Sequence, residues 1–124
     1  MDVEREHQRT DAKILLVKWT SNASQTATVD IGNCFGYKVN RVQCVPGLNG
    51  DLTTDLPSAD YDVTITDEFG EDIMIGELVD LSGTAATSRF AYNPVSVIGT
   101  LTLNVSNAGI SKSGLVNVYM EIDT

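Results

Sequence analysis

Four carboxylates stand within six residues, Asp67, Glu68, Glu71 and Asp72, with Asp60 and Asp62 just upstream. Two kinds of chemistry use such sets: hard oxygen ligands in one loop suit Ca2+, and facing carboxylate pairs suit glycoside hydrolysis. The spacing does not follow the EF-hand loop, so a calcium site at Asp67, Glu68, Glu71 and Asp72 is a minor candidate beside a plain solubilising turn. Carboxylates on the wet face of a strand and on its turn make poor general acids. The only histidine, His7, stands near the N-terminus, far from any nucleophile it could activate, so a hydrolytic triad is not expected. No glycine-rich phosphate loop follows a strand and opens a helix. Cys34 and Cys44 are too few for a zinc site and read as free, half-buried thiols of a reducing cytosol. The chain is therefore expected not to be an enzyme and to need no cofactor.

The acidic cluster sits in the clearest strand–turn–strand signal of the chain, residues 57–75. Tyr61, Val63 and Ile65 alternate with Asp62, Thr64 and Thr66, which gives one apolar and one polar face. Asp67-Glu68-Phe69-Gly70 reads as a turn, and Ile73, Met74 and Ile75 as the return strand. A second hairpin is expected where Leu101, Leu103 and Val105, then Val116, Val118 and Met120, alternate with polar residues across a turn at 107–114. Residues 14–17, apolar on both faces, read as a central, doubly covered strand that ends on a core Trp19. Residues 37–45 have no clean apolar face and carry Lys38 and Arg41, the pattern of an edge strand or of one facing a partner. The loop at 46–57 reads as a crossover between sheets. Arg89, Phe90 and Tyr92 fall in a segment read as a loop, either covering the end of the core or forming a contact patch.

About seven strands with turn signals roughly every 8–12 residues indicate an all-β, antiparallel β-sandwich, either jelly-roll or immunoglobulin-like. The chain of 124 residues is expected to hold one such domain over 12–124. Residues 1–11 lack an apolar stripe and read as a flexible N-terminal arm, either a disordered terminus or one that orders on a neighbouring subunit with Arg5 and Arg9 as charge anchors. The net charge of −9 argues against nucleic acid and anionic membranes as partners and suits a basic partner surface or plain solubility. No apolar run is long enough to span a bilayer as a helix.

Three stretches carry a family resemblance: D-L-P-S-A-D-Y-D-V-T-I-T-D-E-F-G-E-D-I at 55–73, V-I-G-T-L-T-L-N-V-S-N-A-G at 97–109 and K-S-G-L-V-N-V-Y-M at 112–120. The pattern, over about half of the chain, resembles small virion proteins of tailed bacteriophages, in particular head decoration (cement) proteins. The first half and the two cysteines depart from it. The resemblance implies a β-sandwich made in the host bacterial cytoplasm that forms a homo-oligomer, a dimer or trimer, and clips onto the major capsid protein at the head exterior. Arg5, Arg9, Arg89, Phe90 and Tyr92 are the interface candidates, with the acidic turn facing solvent. Two alternatives stand beside this reading: a tail or head–tail connector component, and a carbohydrate-binding β-sandwich module.

Overall fold

The computed structural model describes residues 12–92, 94 and 96–122; the expected arm, with Arg5, Arg9 and His7, lies outside the described residues. Among the described residues seven strands form: β1 (Ala12–Thr20), β2 (Ala27–Asn33), β3 (Tyr37–Pro46), β4 (Asp62–Thr66), β5 (Thr87–Phe90), β6 (Thr100–Ser106) and β7 (Ser113–Ile122). They make two antiparallel sheets, β1-β7-β3-β5 and β2-β6-β4, so the chain is an all-β sandwich. Strand formation follows side-chain periodicity. β4 and β6 alternate buried and half-buried positions along their length, and β7 does so from Leu115 to Glu121.

Each connection between successive strands crosses from one sheet to the other. Two expected hairpins are therefore not hairpins. β6 lies between β2 and β4, whereas β7 lies between β1 and β3 in the opposite sheet. After β4 the turn closes with an isolated Thr66–Asp72 bridge, and residues 73–75 form no return strand. Ile75 takes a left-handed conformation (φ 51°), which turns the chain away from a strand path. The segment from Asp72 to Leu81 instead lies irregularly along β4. Ile73 N–H donates to Ile65 O at 2.9 Å, Val63 N–H to Leu78 O at 2.8 Å and Leu81 N–H to Tyr61 O at 2.8 Å.

An immunoglobulin-like sandwich pairs some successive strands directly, and this chain pairs none. Its order is that of a jelly roll whose two Greek keys wrap around one core, with residues 72–81 holding the place beside β4.

Between the sheets lie Val17, Trp19, Val42, Val116, Val118 and Met120 from one side and Val63, Ile65, Leu101, Leu103 and Val105 from the other. Met74, Leu78 and Leu81 cover the flank beside β4 and are fully buried. Each such side chain contributes about 1.5–3 kcal/mol through burial. Trp19 is in the core as expected; it lies over Gly114 and 5.8 Å from the Tyr61 ring centroid. Cys34 and Cys44 are free and fully buried rather than half-buried.

The expected places of two strands are exchanged. β1, read as central, is an edge; β3, read as an edge, lies between β7 and β5. A bulge at Asn40 explains β3: Val39 pairs with Met120 and Arg41 with Tyr119, one residue out of step. Val39, Val42 and Cys44 thereby share the buried side, which strict alternation hides. In β1, Ile14 and Leu16 are apolar but face outward. Residues 87–90, read as part of a loop, are strand β5.

Candidate interaction surface

Strand register builds the outer face of the four-stranded sheet. Ile14, Tyr119, Arg41 and Phe90 stand in one row across β1, β7, β3 and β5, and Leu16, Asn117, Gln43 and Ser88 in the next. The Arg41 guanidinium lies 3.9 Å from the Tyr119 ring centroid and 6.0 Å from that of Phe90. Such contacts contribute about 0.5–1 kcal/mol each at exposed sites. Asn117 Nδ2 donates to Gln43 Oε1 at 3.1 Å, which ties β7 to β3 on this face. Lys38 meets Glu121 at 3.8 Å. That pair is solvated, so it contributes less than about 1 kcal/mol. A cavity of about 470 Å³ opens beside the Asn40 bulge, lined by Lys13, Ile14, Asn40, Tyr119 and Glu121 among others.

The predicted contact residues divide here. Phe90 projects from the sheet, 70 % exposed, and Tyr92, just past β5, is 71 % exposed. Arg89 alternates with Phe90 and pairs with Val42, so it lies on the opposite side of β5. Ile14, Leu16, Arg41 and Tyr119 complete the surface and were not singled out from the sequence. Their signal was present, because apolar residues on both faces of an edge strand mean that one set faces outward. Leu16 is 63 % exposed.

The two thiols are not reactive groups. Burial pushes Cys44 up to about 12, with Arg89 a smaller opposing influence. Burial also raises Cys34, against a smaller pull from Lys13. A thiol held protonated is a poor nucleophile and a poor metal ligand.

The acidic turn is occupied by its own backbone. Asp67 Oδ1 accepts from Phe69 N–H at 2.9 Å and Glu71 N–H at 3.0 Å. Asp72 Oδ1 accepts from Met74 N–H at 3.0 Å and Oδ2 from Gly76 N–H at 2.8 Å. These Asx-type bonds shape the turn and the segment after it. Among the described residues no three His, Cys, Asp or Glu side chains gather as a metal-holding group. The outer face of the three-stranded sheet is mostly hydroxyl and amide surface, with Thr28, Asn104 and Thr64 in one row, Asp30, Thr102 and Thr66 in the next, and Asp62 at the start of β4.

No family model and no curated protein matches the sequence. Among solved structures, the fold is similar to a chain in the capsid of Ralstonia phage GP4, with TM-score 0.53 and 12% identity over 91% of this chain and 84% of that one. It is similar to a chain in the acidic stable capsid of Helicobacter pylori bacteriophage KHP30, with TM-score 0.53 and 10% identity over 91% of this chain and 89% of that one. A chain of the cyanophage Pam1 capsid asymmetric unit has TM-score 0.47 and 16% identity over 91% of this chain and 86% of that one. At these identities the likeness is one of fold.

Proposed function

We propose that this chain is a structural protein of a tailed-bacteriophage virion, a decoration (cement) protein that binds the major capsid protein at the head exterior and stabilises the shell. The observation that carries the reading is the outer face of the four-stranded sheet. There Ile14, Leu16 and Phe90 stand exposed together around Arg41 and Tyr119, the kind of cluster an assembly protein buries in its interface. The likeness of fold to chains of two phage capsid structures supports the same reading. Repetition of the contact over a lattice makes a modest single interface sufficient. The protein acts as a dimer or trimer, without enzymatic activity and without a cofactor.

The test is the sedimentation of the purified protein alone and after mixing with undecorated heads. A dimer or trimer that travels with the heads is the expected result. A ring with no affinity for heads would move the assignment to the tail or the connector. A monomer that ignores heads and binds glycans would replace it with a carbohydrate-binding module.

A further inference from the structure

Five of the six described lysines and arginines stand on the four-stranded sheet. Among the described residues, Lys18, Lys38 and Arg41 stand on the outward side of the four-stranded sheet, Lys13 and Arg89 alternate to its other side, and Lys112 stands off it. Of the twelve described aspartates and glutamates, only Glu121 is on that sheet, Asp30 and Asp62 are on the three-stranded sheet and nine lie in loops. A chain of net charge −9 thus turns one face of opposite sign to its surroundings. The centre of that face is Arg41, stacked on Tyr119 and flanked by Phe90, with no carboxylate partner among the described residues. Stacking occupies the flat sides of a guanidinium and leaves its N–H edge free. That edge takes a carboxylate in two parallel hydrogen bonds. Exposed Ile14, Leu16 and Phe90 surround it, so the face combines an apolar anchor with a held cation, the composition of an interface centre.

Resting on the virion reading, we infer that the outer face of the four-stranded sheet lies against the shell, and that its occupant is an acidic patch with apolar hollows on the capsid subunits, one carboxylate of which receives Arg41. The three-stranded side, threonine-rich with Asp30 and Asp62, then points to solvent. A second copy docked face to face would set Lys18, Lys38 and Arg41 against their own counterparts, so charge disfavours it as the occupant of this face.

The experiment compares the full chain with Arg41→Glu, Arg41→Lys, Phe90→Ser and, on the opposite side, Asp80→Lys. Each is first melted to show that it folds, then sedimented with undecorated heads at low and moderate salt. Arg41→Glu is expected to weaken binding about thirtyfold or more, the scale of an interface hot spot, and Phe90→Ser about tenfold. Arg41→Lys keeps the charge but loses the paired donors, so it falls between Arg41→Glu and the unchanged chain. Asp80→Lys stays within about twofold of the unchanged chain, whose own binding weakens as salt rises. If the unchanged chain binds heads and the Arg41 and Phe90 variants bind equally well, the assignment of this face is wrong and the virion reading stands. If the unchanged chain does not bind heads, both fall.

Discussion

The two sheets share one core and have opposite exteriors. On the four-stranded sheet the outward rows hold Ile14, Leu16, Tyr119, Arg41 and Phe90. On the three-stranded sheet they hold Thr28, Thr64, Thr66, Thr102 and Asn104, where Asn104 Nδ2 donates to Thr66 Oγ1 at 3.3 Å. Both exteriors fold equally well, because the inward residues set the sandwich. The outward residues are therefore free to be chosen for what they meet. Threonine and asparagine hydrogen-bond to water and to one another and suit a permanently wet face. A leucine, a phenylalanine and a stacked arginine gain when another surface covers them.

The comparison breaks most severely where it denies a difference, in the shared core. Leu103→Ala, inside the three-stranded sheet, is expected to lower stability by about 3–4 kcal/mol. Gly114→Ala strikes the seam of β1 and β7, where an added Cβ would stand 2.5 Å from the Trp19 ring. It is expected to cost about 3 kcal/mol as overpacking. Denaturant titration followed by Trp19 fluorescence and by circular dichroism checks both, and coincident transitions would show the sheets melting as one unit. Asp72→Ala removes the acceptor for Met74 N–H and Gly76 N–H and loosens the segment that covers the β4 flank. Its cost is about 1–2 kcal/mol by the same titration.

The outer faces sharpen the contrast. Leu16→Lys and Thr102→Lys are both expected to change the melting free energy by less than about 0.5 kcal/mol. Only Leu16→Lys is expected to impair attachment to heads. Loss of attachment by Thr102→Lys instead would reverse the assignment of faces.

The last prediction concerns pH. Burial holds the Cys44 thiol at about 12, above its ordinary value of 9.0. Burial raises the Tyr61 hydroxyl as well. Both groups bind their protons more tightly folded than unfolded. Their contribution is thus complete below pH 9.0 and is lost as pH rises through the folded-state values, near 12 for Cys44. Melting temperatures should fall above pH 9.0, and Cys44→Ala should make that fall shallower. Thiol reagents at neutral pH should leave Cys44 unmodified until the protein unfolds.

Much of the fold was legible in the sequence. Alternation in 62–66, 100–106 and 115–121 marked strands and their buried sides. It could not mark their partners, because periodicity reports a buried face and not a neighbour. The β6–β7 segment therefore read as a hairpin although its strands lie in opposite sheets. The exchange of edge and centre has the same origin. The Asn40 bulge shifts β3 by one residue and conceals its apolar side, while Ile14 and Leu16 make an edge strand resemble a central one. Of the candidate surface, Phe90 and Tyr92 were visible as loop aromatics. Arg41 and Tyr119 were not, because only the register of β3 on β7 and β5 brings them to Phe90. In the acidic turn, Asp67 Oδ1 and both oxygens of Asp72 accept from backbone N–H groups, a role that the count of carboxylates alone did not reveal.

The most direct measurement is a cryo-electron-microscopy reconstruction of undecorated heads incubated with the purified chain. The account predicts added density on the head exterior, with the four-stranded sheet against the shell, Arg41 over a capsid carboxylate and the threonine-rich sheet outward. Density with the threonine-rich sheet against the shell, or heads left bare at saturating protein, would contradict it.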